Sequence, residues 1–195
     1  RAAYDAATVE RLAIFRLDLV VLTSYLYVIT EPMLSFFRHR IINVHHSDLT
    51  RCTADGRPRF AGLRAVRDAV FAGERDTRAT VHLVTNELDE GPPFLRSWSF
   101  PVSPLVPDAL AWNAADLLKA YSYAHQEWMI RSTWGPLLAS ALELVATGQV
   151  DLTDPVTTLA LIELDAVVGV VGKVEEVEGV RRLTQVGISC ALCHS

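Results

Sequence analysis

Apolar positions along the chain recur with two different periods. Residues 2–15 carry Tyr4, Ala7, Val9, Leu12 and Phe15 at three-to-four spacing, which predicts a helix with one buried face. Residues 16–23 (RLDLVVLT) form a compact apolar run, suited to a strand buried on both faces. A loop is expected over 24–30 (SYLYVIT), then a short helix opened by Glu31-Pro32, with Pro in its first turn. Residues 40–44 read as the next strand, and strand, helix, strand implies a parallel pair. Residues 50–61 are polar, with Gly56 and Pro58, and a loop of that length is often a lid or binding loop. A helix is predicted over 62–72, with Leu63, Val66 and Val70 on one face and Gly73 closing it. In the strand expected at 79–85, Val81 and Leu83 face one way and Thr80, His82 and Val84 the other.

An acidic turn follows at 86–93, then a strand at 94–100 and a proline-punctuated connection at 101–107. Residues 113–148 read as helical, with a break expected at Gly135-Pro136. Their stripe of Tyr121, Tyr123, Trp128, Met129 and Trp134 reads as core. Past Gly148 the pattern changes. Thr153-Asp154-Pro155 looks like a helix start, with the helix at 156–164. Segments 167–175 and 180–188, joined around Gly179, predict a β-hairpin. The expected fold is α/β: an open, mainly parallel, Rossmann-like sheet holding 17–23, 40–44 and 79–85, with flanking helices. A small helix–hairpin tail is expected from 150, packed loosely on a body of residues 1–149.

At 195 residues the chain fits one domain, or one domain plus a piece of another. The net charge is −5 with no basic block, so nucleic acid is not an expected partner. The longest apolar runs, near 17–29 and 166–171, fall short of the ~20 residues of a membrane-spanning helix. The chain opens on Arg1 with no visible signal peptide and reads as a piece of something longer at both ends.

Candidate chemistry concentrates at 41–49 (IINVHHSDL). An apolar strand ending in Asn43, His45, His46 and Ser47 puts polar groups at a sheet's carboxyl edge, where ligands bind in open α/β sheets. An Asn amide donates, and a His exchanges a proton near neutral pH, so the two could hold an oxyanion and manage a proton. The second feature is Cys190-Ala-Leu-Cys193-His194. Its spacing is that of haem attachment, though a thiol pair or half of a zinc site also fits. Cys52 reads as a plain thiol.

Three blocks in order, LDLVVLTSYLYVIT, IINVHHSDL and ATVHLVTNELDEGPP, resemble the folate-dependent formyltransferases, in particular those of the phosphoribosylglycinamide type in purine synthesis. The resemblance covers residues 4–149. It implies an incomplete formyltransferase-type sheet whose N-terminal, phosphate-gripping half is absent. It further implies formyl transfer from 10-formyltetrahydrofolate to an amine in the cytoplasm, with a small-molecule folate and an amine substrate as partners. The piece alone is then expected to be poorly active. On this reading Asn43, His45 and Asp89 are catalytic, with His45 protonated and Asp89 holding it charged. His82 stands behind them. Tyr25, Leu26, Tyr27, Val28, Ile29, Asn86 and Leu88 bind folate. The sequence departs from the family at His46, where a proline is usual, and at Leu49-Thr50. Residues 165–195 instead resemble c-type cytochrome-like proteins. That implies haem c on Cys190 and Cys193, with His194 as its iron ligand, and a periplasmic electron-transfer role as the alternative.

Overall fold

The computed structural model describes residues 1–153, 161–164, 166–167, 170–177 and 180–188, and beyond 164 the backbone alone. Its centre is a five-stranded sheet in the order β1 (Val20–Leu22), β2 (Ile41–His45), β4 (Thr80–Leu83), β5 (Pro93–Arg96), β7 (Ile162–Glu163). The three strands read from the sequence share this sheet, and β1 and β2 are parallel, with Leu22 opposite Asn43. The sheet is nevertheless mixed, not mainly parallel. β2 pairs antiparallel with β4, and β4 antiparallel with β5, while β5 and β7 are parallel. For β4 and β5 the reason is local: the connection between them is too short for a crossover, so the chain must double back.

Alternation along β2 divides the two faces. Ile42 and Val44 are buried opposite Leu83 and Val81, in a core that also takes Met129, Leu137 and Ala141 from α5 (Ala115–Ala146) and Val66 from α3 (Ala65–Phe71). Ile41 faces the other way, into a smaller cluster with Ile29, Met33 and Phe37, beside α1 (Ala2–Ala13) and α2 (Glu31–Phe36). Asn43 and His45 share that second face, beyond the apolar cluster.

Several expectations are corrected. β1 is a sheet edge with partly exposed side chains, not a strand buried on both faces. In α1 the buried residue is Asp5, while Tyr4 is exposed, as is Phe15 beyond the helix's end; Val9 and Leu12 do pack on the second cluster. In α3 Val66 and Val70 are buried as expected, but Leu63 lies outside the helix and is exposed. Helix α5 runs unbroken through Pro136. Its buried positions Leu118, Ser122, His125, Met129, Thr133, Leu137 and Ala141 continue at three-to-four spacing across the proline. Packing on both sides thus outweighs a local penalty of about 3 kcal/mol. The 94–100 strand splits into β5 and β6 (Phe100–Pro101), and β6 pairs with β3 (Asp76–Thr77). The proline connection leads into a helix that the pattern did not reveal, α4 (Val106–Ala111).

The chain past Gln149 does not sit loosely where its side chains are described. Val150 and Leu152 are buried in the main core, and Ile162 and Leu164 pack against it. Most of the helix expected at 156–164 lies outside the described residues, and its end is strand instead, as β7. Leu164 N–H donates to the Arg96 carbonyl at 2.9 Å, and Glu163 pairs with the Arg96 guanidinium. Beyond this, β9 (Val170–Val177) and β10 (Val180–Ile188) form the expected antiparallel hairpin, with β8 (Ala166–Val167) added on the β9 side.

Candidate active site

β2 delivers its polar end to a cleft of about 290 Å³, lined among others by Asn43, His45, His46, Tyr25, Val28, Gly62, Leu88, Asp89, Gln126 and Ile130. Asn43 lies opposite His82 in the β2–β4 register, and the Asn43 Nδ2 to His82 Nε2 distance is 3.2 Å. His82 Nδ1 is 3.0 Å from the Leu83 carbonyl, which can only accept. The Nδ1 proton therefore goes to Leu83, and Nε2 faces both the Asn43 amide and the Asp89 carboxylate. One of the two Asn43 amide hydrogens lies toward His82, and the other remains available.

Asp89 reaches the same place from the turn after β4. Its φ is +55°, a left-handed conformation that Asp adopts more readily than most residues. Nearby Gly91 is required outright, because a Cβ there would stand 1.7 Å from the Leu83 carbonyl oxygen. Glycine thus lets the turn fold back on β4 tightly enough to carry Asp89 under the histidines. Asp89 Oδ2 accepts the Gly62 N–H at 2.8 Å and lies 3.4 Å from His45 Nδ1, while Oδ1 lies 3.6 Å from His82 Nε2. Burial pushes the Asp89 carboxyl up, but His82, His45 and the Gly62 N–H together outweigh it and hold it at about 2.

With an ionised Asp89 at Nδ1, the neutral His45 ring keeps its proton there, and Nε2 is left with its lone pair. Nε2 is buried and has no hydrogen-bond partner among the described residues. Burial, helped by the neighbouring His82, pushes the His45 imidazole below its ordinary value, against the attraction of Asp89 and a Phe60 backbone contact. That direction runs against the expectation that Asp89 holds His45 protonated. Removing the ring from water costs its cation more than one carboxylate returns.

Asn43, His45 and Asp89 thus converge, and His82 joins them. Of the expected folate residues, Tyr25, Leu26, Tyr27, Val28 and Leu88 line the cleft. Ile29 is buried in the α1–α2 cluster and reaches only a smaller adjoining pocket of about 60 Å³. Asn86 is exposed and lines neither. The 24–30 loop is anchored at its far end by Asp5, which accepts the Thr30 N–H at 2.8 Å and its hydroxyl at 2.6 Å. The expected lid at 50–61 is fastened down. Ser47 donates to the Phe60 carbonyl, Cys52 bridges Pro58, and Arg51 and Arg59 pair with Glu74. Sequence reading missed the α5 wall of the cleft. Gln126 and Ile130 lie some 80 residues from β2, and Trp134 donates its indole N–H to His46. Helical period alone sorts the faces of α5 and does not say which end of the sheet they meet.

Cys190, Cys193 and His194 lie outside the described residues. Among the described residues no group of histidine, cysteine and carboxylate side chains could hold a metal ion, and no helix is long and apolar enough to cross a membrane.

Residues 1–107 match a protein family described as "Formyl transferase". Phosphoribosylglycinamide formyltransferase of Escherichia coli K12 is 31% identical over 97 residues, 50% of this chain and 42% of that protein. Formyltetrahydrofolate deformylase of Bacillus subtilis 168 is 37% identical over 92 residues, 47% of this chain and 28% of that protein. Among solved structures, phosphoribosylglycinamide formyltransferase of Anaplasma phagocytophilum superposes with a TM-score of 0.52 at 25% identity, covering 74% of this chain and 58% of that one. The chain spans less than half the length of the two curated relatives. None of these matches supports haem attachment at Cys190, Cys193 and His194.

Proposed function

Because this chain belongs to the formyl transferase family, we propose that it handles the formyl group of 10-formyltetrahydrofolate and passes it to an amine of the phosphoribosylglycinamide type, in the cytoplasm. The observation that carries the reading is the bare Nε2 of His45, held in one cleft with the spare Asn43 amide hydrogen and an ionised Asp89. Folate lies along 24–28 and Leu88, with its formyl carbon between Asn43 and His45. As the amine attacks, His45 Nε2 takes its proton, and the carbonyl oxygen becomes an oxyanion that Asn43 Nδ2 stabilises. One such donor is worth about 3–4 kcal/mol of barrier. Asp89, across Nδ1, steadies the imidazolium for as long as it exists. His45 then returns the proton to the departing folate nitrogen as the carbon–nitrogen bond breaks. A histidine that is neutral at rest suits this sequence, because it begins as the base.

A second reading makes water the acceptor. It is favoured by the 37% identity to a protein named formyltetrahydrofolate deformylase. The same groups serve, and formate leaves. Both readings rest on a body that runs to at least Leu164.

The test is release of tetrahydrofolate from 10-formyltetrahydrofolate, with products identified with and without glycinamide ribonucleotide. Slow release is expected, since orienting the acceptor is a large share of such catalysis. It should vanish in His45→Gln. A formylated amine supports transfer, and formate alone supports hydrolysis. A chain that neither binds 5-formyltetrahydrofolate nor releases tetrahydrofolate would overturn both.

A further inference from the structure

His46 follows His45 directly, yet it faces a different partner. Its ring stacks on Trp134 of α5, with centroids 5.2 Å apart and planes 20° from parallel. The Trp134 indole N–H points at His46 Nε2 at 2.5 Å. An indole N–H can only donate, so Nε2 must keep its lone pair, and the ring proton is confined to Nδ1. Nδ1 has no hydrogen-bond partner among the described residues and is not sealed from solvent. The residue lines the main cleft beside His45, and Gln126 and Ile130 of the same helix line it too. One ring therefore combines a locked tautomer with an unused N–H donor, in a residue that lines this cleft and also a small pocket of about 10 Å³ toward Ser47 and Phe60.

We propose that His46 is a specificity-determining residue, whose Nδ1–H donates to an oxygen of the bound acceptor and sorts amines by whether they carry one near the nucleophile. Resting on the amine-acceptor reading above, this names what the acceptor must offer: a carbonyl or carboxylate oxygen adjoining the amine. An imidazolium could also donate, but it would lose the Trp134 bond. Burial and the neighbouring His45 push His46 down to about 4, so the neutral donor is the form present at working pH. The stack fixes the ring plane and the indole fixes the proton, so the donor is aligned before the acceptor arrives. Little ordering then remains to oppose binding.

The probe is glycinamide, an amine with an adjoining carbonyl, compared with ethylamine, which has none. Both are titrated by NMR into the whole 195-residue chain, with 5-formyltetrahydrofolate bound and histidine labelled with ¹⁵N. The expected result is a His46 spectrum with Nδ1 protonated and Nε2 bare, and a shift of the Nδ1–H signal with glycinamide but not ethylamine. His46→Phe keeps the stack and should weaken glycinamide about five- to tenfold, the worth of one hydrogen bond, without changing folate affinity. His46→Gln, which can accept from Trp134 and still donate, should recover most of the loss. Trp134→Phe should release the tautomer and give an intermediate loss.

The inference is overturned if glycinamide leaves Nδ1 unmoved, or if His46→Phe binds it as well as the parent chain does, while folate still binds. Loss of folate binding by the parent chain would instead count against the formyl-transfer reading itself.

Discussion

His45 and His125 are both buried histidines, and burial pushes both below their ordinary value, yet the structure uses them in opposite ways. His125 has both ring nitrogens engaged. Nε2 is 2.7 Å from the Thr77 hydroxyl, and Nδ1 is 3.2 Å from the Tyr121 hydroxyl, which in turn accepts the Ser103 N–H at 2.7 Å. That network ties α5 to β3 and to the start of α4, and it lines none of the clefts described above. His45 has Nδ1 3.4 Å from a carboxylate and a buried Nε2 without a hydrogen-bond partner among the described residues. A buried polar atom without a partner costs on the order of 1–3 kcal/mol, and at the lining of a cleft a bound ligand is one way to meet that cost. The difference separates a histidine tied into the fold on both nitrogens from the one that the proposed reaction uses.

The largest effect expected on this contrast comes from Gly91→Ala. The added methyl meets the Leu83 carbonyl, so the turn carrying Asp89 must open. Stability should fall by about 4 kcal/mol or more, read as a lost or much lowered melting transition, and formyl release should go with it. Next is His45→Gln. Release of tetrahydrofolate should drop about 10²- to 10⁴-fold while the melting temperature hardly moves. His125→Phe should do the reverse. It takes one partner from the Thr77 hydroxyl, which keeps Met129 Sδ, and one from Tyr121, which keeps the Ser103 N–H, and should cost about 0.5–1.5 kcal/mol in denaturant melts, with the rate per folded molecule unchanged. If His125→Phe alters the rate and His45→Gln alters the stability, the two roles are exchanged and the contrast fails.

The smallest and most gradual effect is acid sensitivity. The folded chain resists protonating His45, His46 and His125, whereas unfolded histidines take their proton near 6.5. Below that pH the unfolded chain binds more protons, so stability is full above 6.5 and declines as pH falls toward about 4. Asp89, held at about 2 against an ordinary 3.8, adds a second loss between those two values. Melting temperatures from pH 7.5 to 4 should therefore fall steadily. A flat profile would mean that the histidines are not held neutral.

The convergence of Asn43, His45 and Asp89 was more legible than the topology. Asn43 and His45 stand out as polar residues ending an apolar strand, while Asp89 entered with the family resemblance, on its Leu-Asp-x-Gly-Pro turn. Such features depend on neighbours in the chain. The mixed sheet, the unbroken α5 and the entry of Val150, Leu152, Ile162 and Leu164 into the core depend on distant partners, which no local period records. Pro136 shows the limit clearly: it reads as a helix break and is carried through by Thr133 and Leu137 packed on either side. The downward push of burial on His45 was out of reach of the sequence for a related reason. Asp89 could be seen in the sequence, while the depth of burial could not.

The most direct test is a ¹⁵N NMR titration of the His45 ring in the intact chain, read together with its tautomer. A midpoint below 6.5, with Nδ1 protonated and Nε2 bare at pH 7, is the predicted result. A midpoint above 6.5, or a proton resident on Nε2, would contradict the account: His45 would then start as a charged donor, and the base for the attacking amine would have to be another group.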